Sequence, residues 1–182
     1  MKTAARATLD DLYRVPEHGK AELVGGELVH MSPTGGRPGL AGGAIYTSLR
    51  WHERSAGGGR AYPDNVGFIV DLPHRQSFSP DAAFHRGSTP TMKFVEGAPA
   101  FAAEVRSEGD YGPAAEEAMA RKRADYFAAG TLVVWDVDLL SEDVVRVHRP
   151  GAAPPTIYRR GELADAEPAV PGWRLPVDEL FE

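Results

Sequence analysis

Residues 98–107 read APAFAAEVRS, a short apolar run that carries a single carboxylate, Glu104. An apolar run of this length is typical of a strand that is buried on both faces. A buried carboxylate is costly unless it is paired or bound to a metal ion. Glu104 is therefore either a strand-end residue that forms a salt bridge with a nearby arginine or a metal ligand, and this stretch alone does not decide between them.

Outward from this strand, helical and strand patterns alternate. The clearest helix spans residues 113–129, with Pro113 near its start and Gly130 just past its end. The remaining predictions are a helix at 8–14 capped by Thr8, a helix at 40–56, a hairpin at 21–33 that turns at Gly25-Gly26, strands at 66–70, 79–85, 132–140, 144–150 and 156–160, a loop at 32–39, a turn at 74–78 and a packed tail at 171–182. This order favours an α/β or α+β fold, a mixed sheet with helices on its faces.

The composition is that of an ordinary globular protein of 182 residues, with 42% hydrophobic and 25% charged residues, so we expect a single domain over residues 1–182. Because cysteine is absent, disulfide bonds and thiolate metal sites are excluded. The first residues lack the apolar core of a signal peptide, and no stretch approaches the roughly 18 apolar residues of a membrane span. We therefore expect a soluble, cytoplasmic protein with no membrane partner.

The sequence also lacks the signals of several familiar enzyme classes. It has no phosphate-binding glycine loop, no histidine pair at zinc-site spacing and no serine in a G-x-S-x-G elbow. Its net charge of −6 argues against permanent nucleic-acid binding, which usually needs a basic face. The charge is weaker evidence against an enzyme whose carboxylates hold divalent cations, since bound ions offset it locally.

Three other residues are candidates for a site with Glu104. Asp81 opens a strand directly after a proline, although aspartate after proline is also common in turns. Glu22 lies in the first predicted strand and is uninformative alone. Lys122 lies on the apolar stripe of the 113–129 helix. Its ammonium group either extends to solvent along its own stem or reaches over the sheet to a carboxylate cluster.

Taken together, these motifs occur in an order that resembles the Uma-type restriction endonuclease family, a branch of the PD-(D/E)XK nuclease superfamily. The matching stretches are ELVGGELVHMSP (22–33), SPDAAF (79–84), APAFAAEVRS (98–107), KRADYFAAG (122–130) and LVVWDVD (132–138). Each motif is short, but five in this order are specific. The resemblance implies a restriction-endonuclease-like core, in which a central mixed β-sheet is flanked by helices.

The resemblance also implies a metal site. Asp81 and Glu104 would lie on adjacent strands and hold a Mg²⁺ ion, or Mn²⁺ in its place. The backbone carbonyl of Val105 would be a third ligand, and Glu22 would complete or flank the acidic cluster. Oxygen ligands of this kind are those that Mg²⁺ prefers.

The third catalytic group of the superfamily is usually a lysine two positions after the glutamate, where this chain has Arg106. In the Uma-type branch the lysine comes instead from the following helix, which corresponds to Lys122. An arginine stays protonated at every working pH, so it can stabilise charge but cannot take a proton from water. The resemblance therefore implies Lys122 as the catalytic cation that assists the attacking water, and Arg106 as a contact to a substrate phosphate.

These assignments predict a Mg²⁺-dependent endonuclease that hydrolyses DNA phosphodiester bonds. A homodimer would suit such an enzyme, since nucleases that cut both strands are often two-fold dimers. The alternative is a catalytically inactive protein of the same fold that binds nucleic acid or protein. The negative charge favours it, as does the lack of a histidine that the family tends to carry after the M-S-P element. A hydrolase of a small phosphorylated substrate would explain the acidity but has no motif.

Overall fold

The computed structural model describes residues 6–15, 19–87 and 89–182. Within these ranges the helices are α1 (Leu9–Tyr13), α2 (Gly36–Ala56) and α3 (Pro113–Ala128), followed by a 3₁₀ turn at Val177–Phe181. The strands are β1 (Lys20–Val24), β2 (Glu27–Met31), β3 (Arg60–Tyr62), β4 (Phe68–Leu72), β5 (Arg75–Phe78), β6 (Ala82–His85), β7 (Val95–Glu96), β8 (Phe101–Val105), β9 (Val133–Val137), β10 (Val145–His148), β11 (Thr156–Tyr158), β12 (Leu163–Asp165) and β13 (Arg174–Pro176).

A six-stranded mixed sheet with the order β11-β10-β9-β8-β6-β3 forms the centre of the molecule. Strand β8 pairs in parallel with β9 and antiparallel with β6, so its backbone is covered on both sides. The register of the parallel pair sets Glu104 opposite Asp136. The prediction of a mixed α/β fold with a buried strand at residues 98–107 is confirmed.

The two faces of strand β8 contact different layers, because successive side chains of a strand point to opposite faces. Phe101, Ala103 and Val105 belong to the core beneath α2 and the C-terminal segment. Ala102 belongs to a second core, which Tyr126 of α3 also joins. Glu104 is two positions from Ala102, so strand alternation directs its side chain to the α3 side.

A second sheet of five strands, with the order β2-β1-β5-β4-β7, was not predicted as a separate layer. Of residues 74–78, which were predicted as a turn, the last four form the whole of β5. The turn lies at 73–74, one residue before the predicted start. Strand β4 pairs with β5, whereas a turn at 74–78 would have paired residues 66–70 with the strand predicted at 79–85. Strand β5 is buried although its side chains are largely polar, so no apolar pattern indicated it. Arg75 is 6% exposed, and Ser77 is 1% exposed and accepts a hydrogen bond from the amide of Leu23.

The N-terminal predictions are largely confirmed. Thr8 caps α1 through a reciprocal hydrogen-bond pair with Asp11, and β1 and β2 form the hairpin. Helix α2 begins at Gly36, four residues before the predicted start, so half of the predicted loop at 32–39 is helical. Its N-cap, Gly35, makes no side-chain hydrogen bond, which explains why no capping signal marked this start.

The C-terminal segment packs against the central sheet as predicted. Trp173, Leu175 and Leu180 are buried, and the Trp173 ring stacks on Trp135 with centroids 5.0 Å apart. Phe181 is 37% exposed and lies under the guanidinium of Arg160. The short β12–β13 hairpin in this region was not predicted. No helix of residues 6–15, 19–87 and 89–182 is long and apolar enough to cross a membrane.

Candidate active site

Asp81 and Glu104 lie beside each other where two adjacent antiparallel strands of the central sheet, β6 and β8, begin and end. Asp81 directly precedes β6, its amide donates to the carbonyl of Ala103 at 3.0 Å, and Glu104 is the next residue of β8. Oδ2 of Asp81 accepts a 2.7 Å hydrogen bond from the amide of Val105. Backbone pairing therefore holds the Asp81 carboxylate against the strand that carries Glu104.

The Glu104 carboxylate is bound by two side chains of helix α3. Lys122 Nζ lies 2.8 Å from Oε1 and 2.9 Å from Oε2, and the Tyr126 hydroxyl donates to Oε1 at 2.6 Å. Burial raises the pKa of Glu104, and the nearby Asp81 and Glu22 carboxylates raise it further, against the opposing effect of Lys122. The raised pKa therefore comes from burial first and from the two neighbouring carboxylates second, with Lys122 as the compensating charge.

Glu22 lies on the other side of Lys122. Its Oε1 is 2.9 Å from Lys122 Nζ and accepts from the amide of Ser79 at 2.8 Å, while its Oε2 accepts from Arg75 Nη1 at 2.6 Å. Burial opposes ionisation, but Lys122 and Arg75 outweigh it and lower the pKa of Glu22. Arg75 also donates from Nε to Asp125 at 2.8 Å, so Glu22 is anchored by a buried ion-pair network.

Lys122 therefore joins Glu22 and Glu104 with a single ammonium group. Its side chain is 19% exposed and points toward the sheet, so of the two orientations considered from the sequence it adopts the one that reaches the carboxylates. Burial alone would lower the pKa of Lys122, but Glu104 and Glu22 raise it. The group consequently remains an ammonium at neutral pH and acts as a hydrogen-bond donor. We refer to Glu22, Asp81, Glu104 and Lys122 as the carboxylate site.

Arg106 follows the end of β8 and is held by a different set of carboxylates. Its Nε and Nη2 donate to the two oxygens of Asp136, each at 2.7 Å, and its remaining donors reach Glu116 of α3. The residue is only 8% exposed, and its guanidinium lies over the Tyr111 ring. These bonds give Arg106 a clear structural role, and its predicted contact to a substrate phosphate stays a prediction.

Sequence reasoning missed Lys20, Asp64, Arg75 and Tyr126 as members of this region. Lys20 Nζ lies 3.1 Å from Oδ1 of Asp81 and 2.6 Å from Oδ1 of Asp64. A signal for Lys20 existed, because it lies two positions before Glu22 and strand alternation puts both on one face. Tyr126 likewise follows Lys122 by four positions, which places them on the same face of α3.

The donor set of Asp81 and Glu104 fits a hard divalent cation. Among residues 6–15, 19–87 and 89–182, no three His, Cys, Asp or Glu side chains are grouped closely enough to hold a metal ion. Mg²⁺ is nevertheless commonly held by one or two carboxylates together with water. The carboxylates of Asp81 and Glu22 lie close enough to Glu104 to repel it, and this repulsion favours a cation here. Val105, whose carbonyl would be the third ligand, is the residue whose amide binds Asp81.

A small pocket borders the site on the side of Asp81. It has a volume of about 140 Å³ and is lined by Thr34, Pro38, Gly39, Gly42, Gly43, Tyr46, Pro63, Asp64 and Asp81. The first half of α2 and the segment after β3 form its walls. A larger pocket of about 290 Å³ lies between α1, the β1–β2 turn and His74, and contains none of the predicted site residues.

A comparison with solved structures finds the same fold in another protein. A crystal structure from Anabaena variabilis, described as "a putative nuclease belonging to DUF820", superposes with a TM-score of 0.74 at 17% identity, covering 96% of this chain and 97% of that chain. The chain belongs to the Uma2 family, described as "Putative restriction endonuclease", whose model matches residues 7–178. The family resemblance expected from the five motifs is therefore confirmed. No curated protein matches the sequence.

Proposed function

We propose that this protein is a Mg²⁺-dependent endonuclease that hydrolyses DNA phosphodiester bonds at the carboxylate site. One observation carries the proposal: Asp81 and Glu104 are neighbours across the β6–β8 strand pair, and Lys122 forms an ion pair with Glu104. Family membership supports the reaction class. Two carboxylates can hold a Mg²⁺ ion for phosphodiester hydrolysis, and the adjacent lysine can orient the attacking water.

In this proposal Asp81, Glu104 and the carbonyl of Val105 would hold the ion. When bound, Mg²⁺ supplies Lewis-acid stabilisation of the phosphoryl oxygens and lowers the pKa of a water molecule. Mn²⁺ would serve in its place, since the same oxygen ligands suit it. The backbone amide of Val105 orients Asp81, and Tyr126 orients Glu104.

Lys122 is proposed to position the attacking water and to stabilise the charge that develops on the phosphate. Its ammonium is already oriented by Glu104 and Glu22, and Arg75 in turn holds Glu22. A pre-oriented donor costs little reorganisation in the transition state, so it stabilises developing charge efficiently. Arg106 is proposed as a phosphate contact at the edge of this region.

The direct test is cleavage of supercoiled plasmid and of single-stranded DNA by the purified protein with Mg²⁺, with Mn²⁺ and with chelator. We expect metal-dependent cleavage that Asp81→Ala abolishes. Asp71→Ala is the matched control, because Asp71 is exposed on β4 and lies outside the carboxylate site. Cleavage that persists in Asp81→Ala would refute the assignment.

A second candidate function is a catalytically inactive protein that binds nucleic acid or protein. It is favoured by a specific observation: Asp81 and Glu104 are each already neutralised by a lysine, Lys20 and Lys122 respectively. The net charge of −6 points the same way. Fluorescence anisotropy with labelled DNA measures binding, and the cleavage assay measures hydrolysis. DNA binding without metal-dependent cleavage at saturating protein supports the second candidate and excludes the first.

Cleavage of both strands would further suit a homodimer, which we include in the proposal. Light scattering of the protein alone and with DNA measures the mass directly. A monomer in both conditions, combined with double-strand cleavage, would remove the dimer from the proposal and leave the chemistry intact.

A further inference from the structure

Lys20 is a second lysine at the carboxylate site, where it contacts Asp81. It is the first residue of β1, its side chain is 13% exposed, and its ammonium bridges Asp81 at 3.1 Å and Asp64 at 2.6 Å. Asp81 is itself well covered, with 14% of its side chain exposed, whereas 46% of the Asp64 side chain is exposed. The lysine therefore connects an inner carboxylate with an outer one.

This arrangement sets the ammonium of Lys20 in competition with any cation that binds Asp81. Oδ2 of Asp81 accepts from the amide of Val105, so Oδ1 is the oxygen that Lys20 occupies. The hydrogen bond from Lys20 to Asp64 is shorter than the one to Asp81. Oδ1 of Asp64 also accepts a 2.7 Å hydrogen bond from the amide of Asn65, which orients this carboxylate. Asp64 is thus a second partner that can retain the ammonium after it leaves Asp81.

We propose that Lys20 is a resident counter-cation of the metal site, which neutralises Asp81 in the metal-free protein and transfers to Asp64 when a divalent ion binds. This inference rests on the proposed metal site. A lysine is suited to the role because its ammonium is a compact charge on a flexible stem. The arrangement limits the repulsion among Asp81, Glu104 and Glu22 while no metal is bound, and it lowers the apparent metal affinity.

The test is calorimetric titration of the DNA-free protein with Mn²⁺ and with Mg²⁺. Lys20→Met should bind Mn²⁺ about fivefold more tightly than wild type, since one partly buried ion pair no longer competes. Asp64→Asn should bind about threefold more weakly, because the displaced ammonium loses its second partner. Lys93→Met is the matched control, as Lys93 is exposed near β7, and it should bind as wild type.

A double-variant cycle tests the transfer itself. In Lys20→Met the further change Asp64→Asn should have no effect on Mn²⁺ affinity, because no ammonium remains to be received. If Asp64→Asn weakens binding equally in both backgrounds, Asp64 is a metal ligand and the proposal fails. Lys20→Gln repeats the measurement should Lys20→Met fold poorly, as judged by its thermal unfolding.

The outcomes separate this inference from the proposed function. Absence of Asp81-dependent Mn²⁺ binding in wild type overturns the metal site and the inference together. Binding that Asp81→Asn removes, but that is unchanged or weaker in folded Lys20→Met and Lys20→Gln, overturns only the role of Lys20.

Discussion

The hydroxyl of Tyr126 donates a 2.6 Å hydrogen bond to Oε1 of Glu104, from the helical turn that follows Lys122. The Tyr126 ring is buried and stacks on Phe78 with centroids 4.0 Å apart, so the donor is held in place by packing. Burial, and then the negative charge of Glu104, raise the pKa of Tyr126 well above its ordinary value. The hydroxyl therefore remains a donor over the whole useful pH range, and it orients a carboxylate that we propose as a metal ligand.

Tyr126→Phe should keep the stack on Phe78 and lose only the bond to Glu104. We expect single-turnover DNA cleavage to slow about tenfold, because hydrogen bonds to charged groups contribute roughly 1.5–3 kcal/mol and not all of this acts on the reaction. Unfolding free energy, measured in urea, should fall by about 1 kcal/mol. Tyr158→Phe is the control, since it removes a similar bond to Asp165 far from the site. Equal activity of both variants would exclude an orienting role.

Glu104→Gln should leave the metal-free protein as stable as wild type, or more stable, at neutral pH. The pKa of Glu104 is raised in the folded state, so ionisation of this group disfavours folding as the pH rises through that pKa. The advantage of the glutamine should appear above the ordinary glutamate pKa and disappear below it. Urea unfolding at pH 4 and pH 8 checks this.

The same variant should lose the thermal stabilisation that Mg²⁺ or Mn²⁺ gives to wild type. Strong destabilisation of metal-free Glu104→Gln would instead favour the structural salt bridge with Lys122 as the main role of Glu104.

Lys122→Ala should lower turnover by about 100-fold or more while DNA affinity changes little, as expected for a group that acts mainly in the transition state. Single-turnover cleavage at saturating enzyme gives the rate of the chemical step, and anisotropy gives the affinity. Arg121→Ala is the control, because Arg121 is exposed on the same helix and pairs with Glu117, which is not part of the carboxylate site. A chemical step that survives Lys122→Ala but is lost in Arg106→Ala would reverse the assignment of the catalytic cation.

Arg106→Ala should mainly weaken DNA binding and reduce its salt dependence by about one charge, if Arg106 contacts a phosphate. It should also lower the unfolding free energy by about 3 kcal/mol, because Asp136 is left buried without its partner. The double variant Arg106→Ala/Asp136→Asn should recover part of this loss, which denaturation would measure. DNA binding that is unchanged in the folded double variant would leave Arg106 with its structural role alone.

His148 should make the stability of the protein depend on pH. Burial, and then the Arg123 guanidinium, lower the pKa of His148 to about 4. As the pH falls below about 6.5, His148 of the unfolded chain takes up a proton, whereas the folded state does not accept this proton until about pH 4. The stability that is present above about pH 6.5 is therefore lost between about pH 6.5 and about pH 4. His148→Gln should remove about 1–2 kcal/mol of that loss after allowance for partial exposure. Parallel curves of unfolding free energy against pH for the two proteins would contradict this.

Elements with a regular pattern of apolar residues were predictable from the sequence. The buried strand at 101–105, the helix at 113–128 and the hairpin around Gly25-Gly26 all follow from local periodicity and turn chemistry. Strand β5 was missed because Arg75 and Ser77 are polar. Their burial is compensated by hydrogen bonds to Glu22 and to the amide of Leu23, both more than 50 residues away in the chain. Local pattern therefore locates an element only where the burial of its side chains needs no partner from elsewhere.

The carboxylate site shows the same division. From the sequence by itself, Glu104 and Lys122 were candidates, since a carboxylate in an apolar strand and a lysine on an apolar helical stripe are each unusual. Asp81 and Glu22 became candidates only through the family resemblance. Only the tertiary structure decided which charges meet. Lys20 and Asp81 are 61 residues apart in the chain, and Glu22 and Arg75 are 53 apart. A hydrogen bond acts over about 3 Å, so its partner is determined by strand order and register, which no local pattern contains.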